Sequence, residues 1–171
     1  MSGGPVILAL DQSSTRTGYV RGRPEGPVVL GSYSNGACNE QYGKALLRYE
    51  AWLESMLDGV DLLAFEQPVR PFQSLNLHTA RLLYGIAGVI EMVSERRRID
   101  CFEVDTGEMK KLIFGKGGKK PDESVAKRHA RRWGFDASNG DEADAAGVFL
   151  FTIQHQYPDA FDRWLDRRAA A

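Results

Sequence analysis

The chain has 171 residues, 43% of them apolar, and its 22 Lys and Arg against 23 Asp and Glu leave a net charge of −1. That is enough apolar material for one compact core but short for two, so a single domain over residues 1–171 is expected. No run approaches the roughly 18 to 20 apolar residues of a membrane helix, and the N-terminus lacks the charged region, apolar core and cleavage site of a secretion signal, so a cytoplasmic protein without membrane association is expected.

Val6-Ile7-Leu8-Ala9-Leu10 reads as a buried strand over residues 6–10, and it ends on Asp11. The polar stretch Gln12-Ser13-Ser14-Thr15-Arg16 reads as a turn. Further strands follow around residues 17–21 and 28–34, with Pro24, Gly26 and Pro27 turning the chain between them. Leu46, Leu47, Tyr49, Trp52, Leu53 and Met56 recur at helical spacing, which predicts a helix over about residues 41–57 that Gly59 stops. Leu62-Leu63-Ala64-Phe65 then reads as a strand that also ends on an acid, Glu66. Pro68 and Pro71 enforce a loop, after which residues 74–97 read as a long helix, 101–104 as a strand and 106–113 as a short helix. Beyond the Gly115-Lys116-Gly117-Gly118 loop and Pro121, a basic helix over 122–133 ends at Gly134. A last helix spans about 140–155 before Pro158, and residues after about 166 are expected to fray. Three strands, a helix and a strand make a mixed α/β order.

Three features within this order bear on function. The stretch Leu82-Leu83-Tyr84-Gly85-Ile86-Ala87-Gly88-Val89-Ile90 carries no charge, so the long helix is expected to be covered on both sides, by the sheet and by a second cover such as a dimer partner. Cys38 and Cys101 form neither a C-x-x-C pair nor a Cys/His cluster, which argues against zinc. Finally, the near-neutral net charge hides a basic stripe. Residues 110–132 hold nine basic residues (Lys110, Lys111, Lys116, Lys119, Lys120, Lys127, Arg128, Arg131 and Arg132) against Asp122 and Glu123. Such a stripe suits a phosphate backbone, although a solvated helix face plus a loop has the same composition.

Asp11 and Glu66 each terminate an apolar strand, where a charged group costs solvation energy unless a cation stabilises it. Asp141 and Asp144, three apart near a helix start, share one helix face and can share a cation. Acids in a first turn are also favoured by the helix dipole, and Ser138 stands where a capping residue could, so this pair alone reads as structure rather than as a site. Two strand-ending acids and a helix dyad, taken together, can converge at one edge of a sheet. Their charge of about −4 calls for two divalent cations, and hard oxygen ligands indicate Mg²⁺ or Mn²⁺. Such a pair would activate water and stabilise a leaving 3′ oxygen in phosphodiester hydrolysis, with a lysine of the basic stripe balancing charge on the phosphate.

The segments Leu8-Ala9-Leu10-Asp11-Gln12-Ser13-Ser14-Thr15-Arg16-Thr17-Gly18-Tyr19, Ala64-Phe65-Glu66-Gln67, Met109-Lys110-Lys111-Leu112-Ile113-Phe114-Gly115-Lys116-Gly117 and Asp141-Glu142-Ala143-Asp144-Ala145-Ala146 together resemble RuvC Holliday junction resolvases, in particular their phage-borne relatives. The resemblance covers about residues 5–157. It implies an RNase H-like fold, a five-stranded mixed sheet flanked by helices with its first three strands antiparallel. It also implies a crossover junction endodeoxyribonuclease, a homodimer that nicks opposed strands of a four-way DNA junction in a bacterial host or phage-infected cell, with no nucleotide cofactor. Asp11, Glu66, Asp141 and Asp144 would then be the ligands of two Mg²⁺ or Mn²⁺ ions, with Lys110 as a catalytic lysine. Lys111, Lys116, Lys119, Lys120, Lys127, Arg128 and Arg131 would contact DNA. The family places an aromatic shortly after the glutamate. Here Phe72 stands three residues later than expected, so it reads as that junction wedge or as a core residue, and forks and flaps stay open as substrates beside four-way junctions.

Two other readings compete. Leu10-Asp11-Gln12-Ser13-Ser14-Thr15 also resembles the phosphate-contacting hairpin of sugar kinases of the actin-like ATPase superfamily, but those need a second such domain that 171 residues cannot hold. A non-catalytic junction-binding dimer would keep the basic stripe and use the acids structurally.

Overall fold

Every residue of strand β1 (Ile7–Gln12) is buried, and a strand buried on both faces belongs inside a sheet. In the computed structural model, which describes residues 4–36, 41–68, 77–115 and 122–169, β1 is the central strand of five. The others are β2 (Arg16–Gly22), β3 (Val28–Ser34), β4 (Leu62–Glu66) and β5 (Asp100–Val104), in the spatial order β3-β2-β1-β4-β5. The first three strands pair antiparallel, and β4 and β5 add in parallel on the other side of β1. This is the mixed α/β sheet expected from the order of elements.

Strand alternation sends successive side chains to opposite faces, and so builds two cores. Ile7, Ala9, Val20, Leu62 and Ala64 face helix α5 (Gly140–Gln156), with α3 (Thr106–Phe114), α4 (Glu123–Arg132) and α6 (Pro158–Ala169) around it. Leu8, Leu10, Leu63 and Phe65 face α1 (Tyr42–Met56) and α2 (Leu77–Arg97), where Tyr49, Leu53, Ile86 and Ile90 close the second core.

The helix buried all round is α5, in which Glu142 to Ile153 are each buried. Its small residues Ala143, Ala145, Ala146 and Gly147 let neighbouring elements pack closely around it. A Cβ on Gly147 would meet the Met109 sulfur of α3 at 3.3 Å. Helix α2 packs one side on the sheet and, in the single chain, keeps an outward stripe on which Leu77, Tyr84, Gly88 and Met92 are exposed at helical spacing, the side on which a second cover is expected. Among the described residues, no helix is long and apolar enough to cross a membrane.

Helix α6 has no counterpart among the elements predicted from sequence. Pro158 reads there as a helix terminator, yet it is the first residue of α6, a position where its missing N–H and fixed φ cost nothing. Beyond it, where fraying is expected, the helix continues to Ala169. Phe161 is buried, and Trp164 stacks on Phe135 with ring centroids 5.4 Å apart. Replacing Phe161 with alanine is expected to cost about 3 kcal/mol, and so to lower the melting temperature by about 6–12 °C in a thermal denaturation experiment. A change of a degree or less would mean that α6 contributes nothing to the core.

Candidate active site

Strand β1 runs two residues further than its apolar run suggests, so Asp11 is held inside the ladder opposite Gly18 of β2. The parallel register with β4 pairs Ile7 with Leu62, Ala9 with Ala64 and Leu10 with Phe65, which sets Asp11 beside Glu66 one step further on. Both acids share the phase of Ala9 and Ala64 and therefore leave the sheet on the α5 face, at the carboxyl ends of the two strands. Asp11 is 5% exposed, and Glu66 is half-buried.

The helix dyad reaches the same end of the sheet by a close backbone approach. Helix α5 starts directly over Gly18, the cross-strand partner of Asp11. A Cβ on Gly18 would overlap the Asp141 carbonyl group and stand 2.9 Å from the Glu142 nitrogen. Only glycine allows the helix to sit there.

Capping is arranged differently from the expectation. The N-cap is Asn139, whose side chain accepts from the Glu142 N–H at 3.0 Å, while the Glu142 carboxylate accepts from the Ser138 N–H at 2.8 Å and from the Asn139 amide at 3.0 Å. This Asn139/Glu142 pair closes the helix start as a capping box does. Neither Asp141 nor Asp144 takes part in this cap, so of the two structural reasons for the dyad only the helix dipole at the first turn remains. Asp144, one turn further, is 8% exposed.

Cationic groups border this end from three elements. Arg16, at the start of β2, brings its guanidinium Nη1 to 3.7 Å from Asp141 Oδ2. Lys127 of α4 donates to the Ser138 carbonyl at 3.2 Å and lies 3.7 Å from Glu123, so it holds the approach to α5. Lys110 is half-buried on α3, next to Met109, the residue that packs on Gly147 of α5. Helix α3 begins at this end too, because β5 pairs Val104 with Glu66 and Gln67 N–H donates to the Val104 carbonyl at 2.9 Å.

The donor set suits a hard cation. Asp11, Glu66, Asp141 and Asp144 offer oxygen ligands only. Gln12, 9% exposed, donates its amide to the Glu66 carbonyl and leaves its own buried Oε1, an acceptor, without a hydrogen-bond partner. Among the described residues, however, no three His, Cys, Asp or Glu side chains stand close enough to hold an ion without moving. The backbone brings the four acids to one end of the sheet; their side chains are not drawn together around one point.

Of the residues expected on DNA, Lys111, Arg128 and Arg131 are exposed, and Arg131 pairs with Asp136 at 3.5 Å. Phe72, Lys116, Lys119 and Lys120 lie outside the described residues. Arg16, Gln12 and Gly18 join the site without having been singled out by the sequence reading. An isolated glycine within a strand is a recognisable signal of close backbone approach, and it could have found Gly18. Nothing in the spacing marked Arg16 or Gln12.

No family model matches the chain, and no curated protein matches it by sequence. Solved structures do. RuvC of Thermus thermophilus superposes with a TM-score of 0.70 at 14% identity, covering 91% of this chain and 97% of its own. The same organism's RuvC in complex with a Holliday junction substrate gives 0.68 at 12% identity, covering 92% and 96%. The yeast mitochondrial Holliday junction resolvase Ydc2 gives 0.53 at 13% identity, covering 98% and 81%. A mixed five-stranded sheet of this order, flanked by helices on both faces, defines an RNase H-like α/β fold. Within that class, the chain has the RuvC-like resolvase fold.

Proposed function

We propose that this protein is a structure-selective DNA endonuclease that resolves four-way junctions by metal-dependent phosphodiester hydrolysis. The observation that carries the proposal is the contact of α5 with Gly18. It sets the Asp141/Asp144 turn over the strand end that bears Asp11 and Glu66, on a fold shared with a RuvC solved on a Holliday junction.

Asp11, Glu66, Asp141 and Asp144 would hold two Mg²⁺ or Mn²⁺ ions. Bound there, divalent cations would supply Lewis acidity at the scissile phosphate and lower the pKa of an attacking water. The protein's own part is position and charge. The strand ladder fixes Asp11 and the capping box fixes the start of α5, while Lys110, half-buried on α3, would be the lysine that stabilises charge developing on the phosphate. The exposed Lys111, Arg128 and Arg131 would take the DNA backbone. A second copy would cover the α2 stripe of Leu77, Tyr84, Gly88 and Met92, and paired nicks would follow from two sites related by its two-fold axis.

Incubation with labelled four-way junction, fork, flap and linear duplex, in Mg²⁺, Mn²⁺ or EDTA, tests the proposal. Cutting of the four-way junction is expected with either metal and not with EDTA, and linear duplex is expected to stay intact. Equal cutting of forks and flaps would broaden the substrate class. No metal-dependent cutting on any substrate would leave a junction-binding protein without chemistry.

A further inference from the structure

Arg16 has no part in the roles assigned above, yet its place beside Asp141 is built into the fold. The turn that carries it is locked by Ser13, whose hydroxyl accepts from the Arg16 N–H at 3.0 Å and donates to the Arg16 carbonyl at 2.7 Å, while Ser13 N–H donates to the same carbonyl at 2.8 Å. Asn35 braces the turn from β3's end, its amide donating to the Ser13 carbonyl at 2.6 Å and its N–H to the Thr15 carbonyl at 2.9 Å. Arg16 stands two residues before Gly18 on β2, so strand alternation sends its side chain to the α5 face, where α5 rests on Gly18. The ion pair with Asp141 follows from that geometry.

The pair is weak as ion pairs go. Its 3.7 Å separation is longer than a hydrogen bond, and the Arg16 and Asp141 side chains are 49% and 25% exposed. A tight buried bridge would withdraw Asp141 from other partners. This one leaves the carboxylate open to a stronger cation. Of the other charged groups at the start of α5, Glu142 serves the capping box and Lys127 holds the Ser138 carbonyl and Glu123.

We propose that Arg16 is the resident counter-ion of Asp141, displaced when a divalent cation binds, and that this competition sets the metal affinity of the site. It is a positioning residue acting through Asp141, and the inference rests on the metal-dependent reading above. It also accounts for an acid set whose side chains do not converge as they stand: Asp141 is engaged by Arg16.

Isothermal titration of Mn²⁺ into the full chain at low ionic strength tests this without any activity measurement. Arg16→Gln is expected to bind Mn²⁺ about 3- to 10-fold more tightly than the parent, since it frees the Asp141 carboxylate from the guanidinium 3.7 Å away, and added salt is expected to shrink the difference. Arg16→Lys, which keeps the charge, is expected to return to within about twofold of the parent. In an Asp141→Asn background, Arg16→Gln is expected to change nothing, because the two substitutions act on one interaction. Unchanged or weaker binding in Arg16→Gln would overturn the inference while leaving the metal site in place. So would a gain that persists in the Asp141→Asn background, or an Arg16→Lys variant as tight as Arg16→Gln. A parent protein that takes up no Mn²⁺ at millimolar concentration would instead remove the metal-dependent reading itself.

Discussion

Substituting Gly18 with alanine is expected to destabilise the protein by about 3 kcal/mol, lowering its melting temperature by about 6–12 °C, and to abolish cleavage even where the protein stays folded. The added methyl would meet two backbone groups, the Asp141 carbonyl and the Glu142 N–H, the latter at 2.9 Å. Backbone atoms of a buried helix cannot swing aside as the tip of a flexible side chain can. Relief requires α5 to lift from β2, and α5 covers one whole face of the sheet, with Ala145, Val148 and Phe149 in its core. The cost therefore falls at the upper end of the usual range for overpacking. Lifting α5 also carries Asp141 and Asp144 away from Asp11, so chemistry fails before folding does. Gly43, exposed on α1 with nothing within 4 Å of the place an added methyl would take, is the control: Gly43→Ala is expected to be neutral or slightly stabilising. Thermal denaturation of the two variants beside the parent decides the matter. A Gly18→Ala protein that melts within two or so degrees of the parent would mean that the helix start is not held where it stands.

Asp144→Asn is expected to reduce cleavage by roughly 100-fold or more while leaving junction binding and metal-free stability intact. Asp144 is 8% exposed, one turn from Asp141 and at the strand end that carries Asp11. Asparagine preserves the shape of the side chain and removes one negative charge from the end of the sheet that also bears Asp11, Glu66 and Asp141, so the metal-free protein is not expected to lose stability. What it cannot replace is an anionic oxygen ligand for a hard cation. Gel-shift titration in EDTA, cleavage assays in Mg²⁺ and thermal melts of the metal-free protein separate the possibilities. A loss of stability of several degrees would assign Asp144 to the scaffold, and retained cleavage would take it out of the active site.

Much of the strand framework is legible in the sequence because hydrophobic runs and turn residues are local signals. The Leu-rich runs ending on Asp11 and Glu66, the Pro24-to-Pro27 turn and the helix stopped at Gly59 all stand close to their expected places. Errors arise where a residue has two uses. Pro158 ends one helix and begins the next, and only the packing of Phe161 and Trp164 tells the uses apart. Asn139, Asp141 and Glu142 can all serve a helix start, and the hydrogen bonds assign the cap to Asn139 and Glu142. The uncharged stretch of α2 marks the side buried on the sheet, whereas the all-round burial of α5, with its charged first turn, is visible only in the packing.

The identity of the four acids, and the strand ends or helix turn on which each stands, can be read from residue order alone, because apolar periodicity and chain breakers act over a few residues. Their meeting cannot. It depends on a parallel register between β1 and β4, on strand phase that turns Asp11 and Glu66 to the α5 face, and on a missing methyl at Gly18 that admits the α5 backbone. The contact between Arg16 and Asp141 is of the same kind: 125 residues separate them, and no pattern of spacing encodes a pair that forms only once a helix lies down on a strand.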